Sequence, residues 1–417
     1  MNKTILKSCL YIVYSSYILF AIMRFRMNHF EKGIYVQCAG YKAFVPSKIN
    51  REFECNDSKI ISLLEKASRY IGELNAYSKN LPNIFFFLAM MAKDEATFSN
   101  KIEGTKITLN EVVAPEEEIL PERRDEKKEI INYLVSLTLS YKRLTGYEDI
   151  LTSPQKVEYD TLPFCTRLIK EAHKYLLDGS RGQNKHLGEF RTTQNWIGGS
   201  MPSTAAFVPP PPECLNELLS DFENFWHNED IYVPILIKIA ISHYQFETIH
   251  PFSDGNGRIG RLILLLQLVD SGLLELPTLY LSKYFERNRK QYYDALSLVR
   301  EKNDINQWIR YFLEGVCDTA KLSVKMLKNI DDLNNWCEEQ IKTMRRSHVN
   351  ASKLLKTLYY SPYVTSNQIC DELKLDYQTA NNLLKSFVKL EILTVNNKKR
   401  NKIYAFNKYL NIFNAEE

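Results

Sequence analysis

Apolar residues recur with the spacing of one helix face along most of this chain of 417 residues. Residues three and four positions apart are apolar while those between them are polar, a pattern that predicts amphipathic helices. Seven segments carry it: Lys59–Leu74, Asn83–Ser99, Glu126–Leu144, Thr161–Leu177, Leu215–His227, Val233–Thr248 and Arg258–Ser271. Strand-like alternation is scarce before residue 393. The sequence therefore predicts a mainly α protein.

The last part of the chain has a different pattern. Three helical stretches, LLKTLYY, SNQICDELKL and DYQTANNLLKSFVKLEIL, precede LTVNNKKRNKIYAF, which alternates like two short strands around a basic tip. Thr365 and Gln368 have the spacing of a capping box. This order predicts a C-terminal winged helix-turn-helix domain. The exposed face of its third helix would carry Tyr377, Gln378, Asn381 and Lys385, and its wing would carry Lys398, Lys399, Arg400 and Lys402.

The charge is divided unevenly. The net charge is +4, but residues 341–417 hold thirteen Lys and Arg against six Asp and Glu, which gives +7 and leaves −3 for residues 1–340. A basic surface on a winged helix predicts contact with the DNA backbone. Because winged helices also serve as protein docking or dimerisation modules, a protein partner and a homodimer stay open.

The cysteines and the N-terminus indicate different compartments. Eight cysteines form no CxxC motif, which predicts reduced thiols in a cytoplasmic protein. Ser8–Met23 is apolar and follows Lys3 and Lys7, as in an export or membrane signal, but it lacks a small-residue cleavage site and is short for a membrane span. The alternative is a start assigned too early, with Met27 as the true beginning of the domain.

The stretch HPFSDGNGRIGR, residues 250–261, carries most of the candidate chemistry. It lies between two apolar helical runs, so its glycines form a loop that opens a helix. The backbone N–H groups of Gly255, Asn256 and Gly257, together with the helix dipole, favour an anion such as phosphate. Arg258 and Arg261 lie on the first turn, where both could reach a polyphosphate.

Two further residues of this stretch suggest nucleotide chemistry. Asp254 offers a hard oxygen ligand to the Mg²⁺ that accompanies a nucleotide. His250 can be neutral at physiological pH and accept a proton. The lysine and Ser/Thr of a P-loop are absent. The stretch therefore predicts a phosphoryl- or nucleotidyl-transfer site.

The same stretch resembles the HPFx(D/E)GNGRxxR signature of the Fic family and matches it at every fixed position. GEFRTTQNWIGGSMPSTAAFVPPPPE, IAISHYQFETI and YLSKYFERNRKQYYDAL resemble the family's flap, the helix before the motif and the segment after it. The similarity runs from about Gly40 to Leu313. It implies a Fic helical-bundle core with a small β-hairpin flap, and AMP transfer from ATP to a hydroxyl of a target protein, with Mg²⁺.

The resemblance also implies a role for each motif residue. His250 would deprotonate the target hydroxyl, Asp254 would hold Mg²⁺, Gly255–Gly257 would cradle the phosphates, and Arg261 would bind the terminal phosphates. Asn256 would donate to the transferring group. Phe252 is instead expected to pack.

Outside the motif, the resemblance assigns a flap and two aromatic residues. Ile197, Gly198 and Gly199 would form the flap tip and present the target as an added edge strand. Tyr292 and Tyr293 lie where the family places residues that contact the nucleotide. Plain core packing is the alternative, above all for Tyr293.

SNKIEG, residues 99–104, places Ser99 and Glu103 four residues apart before a glycine that would end the helix. Beside the complete motif it resembles the family's inhibitory signature (S/T)xxxE(G/N). Glu103 would then pair with Arg261 and withhold it from the γ-phosphate of ATP. The alternative is an ordinary helix terminus.

We divide the chain into an N-terminal extension (1–26), a helical domain with the inhibitory helix (27–150), a Fic core (151–315), a linker helix (316–340) and a winged-helix domain (341–417). Two other functions stay open: a DNA-binding regulator whose Fic-like part senses nucleotide, and removal of AMP by the same site. Phosphotransfer by a toxin-like relative with an inverted nucleotide is disfavoured by Gly257, where that branch would have a lysine.

Overall fold

A computed structural model describes residues 30–81, 84–149, 153–156, 160–179, 186–398 and 402–414. The apolar stretch Ser8–Met23 and the predicted wing residues Lys399 and Arg400 lie outside these ranges. In the ranges that are described, no helix is long and apolar enough to cross a membrane.

The described residues form a mainly α structure, as predicted. The helices are α1 (Ser58–Asn80), α2 (Ile84–Ile102), α3 (Leu109–Val113), α4 (Arg124–Thr145), α5 (Thr166–Leu176), α6 (Leu215–His227), α7 (Ile235–Ile249), α8 (Asn256–Asp270), α9 (Ser282–Arg287), α10 (Arg289–Lys302), α11 (Ile305–Lys342), α12 (His348–Tyr360), α13 (Ser366–Leu373), α14 (Tyr377–Lys389) and α15 (Asn407–Asn414).

All seven predicted helices are present, with shifted ends. The predicted start at Thr161 is wrong, because α5 begins at Thr166. Pro163 explains the shift, since a proline disfavours helical geometry at the residue before it.

Short strands were largely missed by the sequence pattern. They are β1 (Ile34–Cys38), β2 (Tyr41–Val45), β3 (Tyr147–Asp149), β4 (Ser153–Lys156), β5 (Tyr363–Thr365), β6 (Thr394–Val395) and β7 (Ile403–Ala405). β1 and β2 pair antiparallel, with Cys38 opposite Tyr41. Gly40 turns this hairpin at φ 84°. Five-residue strands with nearly continuous apolar residues give little alternation, so only the glycine between them was a usable signal.

The chain forms two compact units. The first comprises residues 30–64, 190–253 and 291–313. In its core, α7 has thirteen of fifteen residues buried. The ring of His243 on α7 stacks on Trp308, whose Nε1 donates to the Ala240 carbonyl at 2.7 Å. This buried helix fixes the position of its last residue, Ile249, and so the position at which His250 follows.

The second unit comprises residues 65–189, 254–290 and 314–414. Its core is built on α8, which has twelve of fifteen residues buried. Helices α2, α4 and α5 pack against α8. Helix α8 is therefore surrounded by other helices of the same unit.

The C-terminal elements of the second unit run helix, strand, helix, helix, strand, strand, from α12 to β7. Their sheet has the order β5-β7-β6 and is antiparallel. The predicted capping box is present, since Thr365 accepts from the Gln368 N–H and Gln368 accepts from the Thr365 N–H. Helix α12 packs on α2, where Tyr359 meets Phe87 edge-on at 5.0 Å.

Candidate active site

His250 follows the last residue of α7 and has an unusual backbone. Its φ and ψ are 49° and 59°, the left-handed region, and its N–H donates to the Phe246 carbonyl at 3.0 Å. A residue other than glycine keeps this conformation only where its surroundings enforce it. Nδ1 lies 3.4 Å from the Glu247 carbonyl, which can only accept. The neutral ring then carries its proton on Nδ1 and its lone pair on Nε2.

Arg191 and Asn195 stabilise this turn. The sequence analysis gave neither side chain a role. Arg191 Nε donates to the His250 carbonyl at 3.0 Å, and Arg191 Nη2 donates to the Pro210 carbonyl at 2.6 Å. Asn195 Nδ2 donates to the Phe252 carbonyl at 3.0 Å. Burial lowers the pKa of Arg191 to about 10, so the guanidinium stays charged at neutral pH. These bonds explain the strained backbone of His250.

Phe252 packs, as expected from the sequence. Its side chain is fully buried, and its ring centroid lies 5.2 Å from that of Phe190. Like Arg191 and Asn195, Phe190 belongs to the stretch that resembles the flap and its flanks. The segment before the flap therefore supports the histidine turn.

The second half of the motif, from Asp254, belongs to the second unit and opens α8. Gly255 is the N-cap residue at φ 74° and has no side chain with which to cap the helix. The Asp254 carboxylate accepts from the Gly255 N–H at 2.7 Å and is 38% exposed. Asn256 is buried. Main-chain N–H groups at an α-helix N-terminus bind anions readily, as the glycine pattern predicted.

His173 on α5 fixes the backbone of Asp254. The Gly188 N–H donates to its Nδ1 at 3.0 Å, so Nδ1 is unprotonated. Nε2 must then carry the proton of the neutral ring, and it lies 3.0 Å from the Asp254 carbonyl, to which it donates. Burial lowers the pKa of His173 to about 4. The ring is therefore a neutral donor at physiological pH, and sequence reasoning missed it because it lies 81 residues from its partner.

Arg261 is bound by the segment 99–104, which resembles an inhibitory signature. Its Nη2 donates to Glu103 Oε1 at 2.7 Å and to the Ser99 carbonyl at 2.8 Å, and its Nε donates to Ser99 Oγ at 3.0 Å. The Arg261 side chain is 2% exposed, whereas that of Glu103 is 38% exposed. Glu103 itself lies in the turn just after α2, because Ile102 is the last helical residue.

The Glu103 carboxylate also lies against the backbone of Gly257. A Cβ at position 257 would come within 3.0 Å of Glu103 Oε1, closer than real Cβ atoms approach other atoms. Gly257 lies in the first turn of α8, where the sequence predicts phosphate binding. The carboxylate thus occupies space beside the predicted phosphate cradle.

Like Arg261, Arg258 contacts other side chains of the protein. It is buried, and its Nη1 lies 3.4 Å from Asn100 Oδ1 and 3.6 Å from Glu129 Oε2. Both arginines of the motif therefore contact α2 or α4 side chains in this conformation.

A buried carboxylate fixes α2 one turn before Ser99. Glu95 accepts from the Tyr133 hydroxyl at 3.0 Å and from the Ser282 N–H at 3.2 Å. Burial raises the pKa of Glu95, and its hydrogen bonds with Ser282 and Tyr133 act in the opposite direction. These bonds tie α2 to α4 and to the start of α9, and so position Ser99 and Glu103.

The predicted flap is a loop closed by one antiparallel bridge between Ile197 and Phe207. The N–H of Ile197 donates to the Phe207 carbonyl at 2.8 Å, and the reverse bond is 3.1 Å. Gly199 has φ 74°, and a Cβ there would meet the Thr204 carbonyl. Ile197 is 40% exposed. The tip at Ile197, Gly198 and Gly199 is thus accessible on the first unit.

The two tyrosines differ in burial. Tyr292 is buried, and its hydroxyl lies 2.8 Å from Nε2 of His243. Tyr293 is 43% exposed. The sequence analysis gave core packing as the alternative chiefly for Tyr293, but it is Tyr292 that packs in the core, because α10 turns that side chain toward Trp308.

No group of three or more His, Cys, Asp or Glu side chains in the described ranges could hold a metal by itself. Asp254 fits a different kind of site. Mg²⁺ is commonly held by one or two carboxylates together with substrate phosphates, and Asp254 has a partly exposed carboxylate at the opening of α8.

Comparison with known proteins places these segments in one family. Residues 163–268 match the Fic/DOC family model, and residues 61–142 match the model of the Fic/DOC family N-terminal region. A protein adenylyltransferase Fic of Culex quinquefasciatus is 35% identical over 128 residues, which are 30% of this chain and 23% of that protein. A probable protein adenylyltransferase of Aquifex aeolicus is 40% identical over 97 residues, which are 23% of this chain and 28% of that protein.

The chain therefore spans about a quarter of the length of these relatives. The crystal structure of a Fic family protein from Desulfovibrio desulfuricans has a similar fold, with a TM-score of 0.53 and 19% identity, covering 85% of this chain and 98% of that one. The matched segments contain both the motif and α2, at whose end Ser99 and Glu103 lie. Residues 61–142 and 163–268 of this chain are thus similar to the Fic/DOC family.

Proposed function

We propose that this chain is a protein adenylyltransferase that transfers AMP from ATP to a hydroxyl side chain of target proteins and of itself. The observation that supports this most directly is the motif loop, in which His250, whose Nδ1 lies 3.4 Å from the Glu247 carbonyl, precedes the N-terminus of α8 in the chain. Only three residues separate His250 from Asp254. The names of the relatives point to the same reaction.

In the proposed reaction, His250 Nε2 accepts the proton of the target hydroxyl. The hydroxyl oxygen then forms a bond to the α-phosphorus of ATP, and the bond from that phosphorus to the bridging oxygen breaks. Pyrophosphate leaves, and AMP stays on the target. A positioned general base of this kind contributes about 10²–10⁴-fold to the rate.

The phosphates would lie on the main-chain N–H groups of Gly255–Gly257, with Asn256 donating to the transferring group and Arg261 binding the terminal phosphates. Mg²⁺ held by Asp254 would neutralise phosphate charge. Ile197–Gly199 would present the target, and Tyr293 is the exposed aromatic residue that could contact the nucleotide.

We also propose that the enzyme is restrained by Glu103. Two observations support this: its carboxylate pairs with Arg261, and it lies against Gly257. A terminal phosphate at this position would meet a carboxylate of the same charge and an arginine already engaged. ATP could then bind only in a pose unsuited to attack.

Label transfer from α-labelled ATP tests the reaction. In a Glu103→Gly background with Mg²⁺, we expect the protein to label itself and targets in a lysate, and we expect His250→Ala to abolish the label while ATP still binds. His227→Ala, which removes an exposed histidine at the end of α6, is the matched control and should label normally. Substantial labelling by the His250→Ala protein would refute the proposed base.

A further inference from the structure

A groove runs along the C-terminal elements of the second unit. One wall is formed by Tyr377, Asn381 and Lys385 of α14 together with Lys398 and Lys402, which flank the tip between β6 and β7. Lys385, Lys398 and Lys402 thus place three positive charges along one wall. Tyr377 is 57% exposed, so the start of α14 is accessible to a partner.

The opposite wall of the groove is acidic and comes from a distant part of the chain. It is formed by Glu117 and Glu118 of the short 3-10 helix Glu116–Glu118. The Glu118 carboxylate forms an ion pair with the Lys398 ammonium group. All three glutamates are exposed. This acidic segment, Glu116–Glu118, thus places its charges opposite the basic wall. Glu118 and Lys398 are 280 residues apart in the sequence.

Contacts with α4 hold the acidic segment on the side away from the groove. Glu116 turns away from the groove toward Lys127 and Arg124 of α4, at 3.5 and 3.8 Å. Lys127 Nζ also donates to the Ala114 carbonyl at 3.0 Å. These contacts fix the segment near the groove and leave Glu117 and Glu118 on the groove side.

The chemistry of the basic wall favours nucleic acid over protein. Cores of protein interfaces are poor in charge and rich in apolar side chains. This wall instead offers lysine ammonium groups, an amide and a tyrosine hydroxyl, which are donors for phosphate oxygens and base edges. The +7 charge of residues 341–417 adds long-range attraction for a polyanion.

We propose that this groove binds the backbone of double-stranded DNA and that Glu117 and Glu118 compete with DNA for it. In the absence of DNA the two carboxylates stand where phosphates would lie. Binding of DNA must displace them, which lowers the affinity. This inference does not depend on AMP transfer, and it assigns the acidic segment a role outside the motif.

Neutralising the acidic wall provides the test. We expect Glu117→Gln/Glu118→Gln to bind DNA about three- to tenfold more tightly than wild type at low salt, the range that one or two exposed ion pairs can supply. The matched control, Glu122→Gln/Glu339→Gln, removes the same charge from two exposed glutamates outside the groove and should stay near wild type. Fluorescence anisotropy with a labelled mixed-sequence duplex of about two helical turns measures both.

Removing the basic wall tests the same surface from the other side. We expect Lys398→Gln/Lys402→Gln to weaken binding and to reduce the slope of log affinity against log salt by about 2, measured between about 50 and 200 mM KCl. Because both lysines are at the surface, this variant should keep the melting temperature of the wild type, which is measured alongside.

Two results would overturn the inference. Equal affinities of wild type, the Glu117/Glu118 variant and the control would show that the acidic segment does not compete. Absence of salt-dependent DNA binding by both wild type and the Glu117/Glu118 variant would exclude DNA as the partner and would favour protein docking.

Discussion

Replacing Glu103 by glycine distinguishes two interpretations of this residue. It is either an inhibitory carboxylate or part of an ordinary helix terminus. The substitution removes the hydrogen bond between Glu103 and Arg261 and leaves the two from Arg261 to Ser99. It also clears the space beside Gly257. If Glu103 restrains the enzyme, self-modification should rise.

The geometry of the ion pair sets the size of the effect. Hydrogen bonds to charged groups contribute about 1.5–3 kcal/mol, whereas exposed ion pairs contribute about 0.2–1 kcal/mol. Arg261 is 2% exposed and Glu103 is 38% exposed, so this pair falls between the two classes. We take about 1–2 kcal/mol, which corresponds to about five- to thirtyfold in the initial rate of self-modification.

The structural cost of the change should be small. Glu103 lies after the last residue of α2, so the cost of glycine, about 1 kcal/mol inside a helix, applies only in part. Glu122→Gly is the matched control, because it places glycine at an exposed glutamate in another short turn, Pro121–Arg123. Glu103→Gln keeps a neutral acceptor for Arg261 and should activate less than glycine.

The assay is the initial rate of label incorporation from α-labelled ATP with Mg²⁺ for wild type, Glu103→Gly, Glu103→Gln, Glu122→Gly and Glu103→Gly/Arg261→Ala. Activation by Glu103→Gly that disappears in the double variant supports the switch. A folded Glu103→Gly protein that is no more active than wild type would refute the argument, and equal activation by Glu122→Gly would point to general loosening instead.

Two residues that support the motif give further predictions. We expect Arg191→Leu to lower kcat for label transfer by about ten- to hundredfold, because the His250 and Pro210 carbonyls lose their donor and the base is misplaced. The KM for ATP should stay close to that of the Glu103→Gly background, and a purely structural defect would instead change both constants. For His173, the buried ring stays neutral down to a pKa of about 4, while the unfolded chain takes up a proton below its ordinary value of 6.5. Its contribution to stability is therefore complete above about pH 6.5 and falls by about 2 kcal/mol at about pH 5. Urea unfolding of wild type and His173→Asn at about pH 7 and pH 5 measures this difference, and an equal loss in both proteins would contradict the assignment.

The parts of the site that could be predicted are those with a local cause. Residues 250–261 are contiguous, so their glycines, acid and histidine could be interpreted without knowing the fold. The spacing of Ser99 and Glu103 was also local, and Glu103 was matched to Arg261 by resemblance, across 158 residues. Most helices followed from periodicity, whereas α7 and α8 were recognisable as apolar segments too long for strands.

What could not be predicted depends on contacts between distant residues. Arg191 and Asn195 reach main-chain carbonyls 55 to 59 residues away. Because every residue has a main-chain carbonyl, the sequence does not show which one a side chain binds. The burial of Tyr292 rather than Tyr293 depends on the rotation of α10 toward Trp308. The acidic segment and the basic groove are likewise paired only by the fold.

The sequence analysis used resemblance to distinguish glycine from lysine at position 257. The contact between Glu103 and Gly257 gives a physical reason for that distinction. A lysine at position 257, as in the toxin-like branch, would put its Cβ into the Glu103 carboxylate. The carboxylate could swing aside, but it would then leave Arg261 and lose the ion pair at 2.7 Å. Glycine at 257 therefore leaves the room that the Glu103 carboxylate occupies while it binds Arg261. A larger residue at 257 would displace the carboxylate from this position and weaken the proposed restraint.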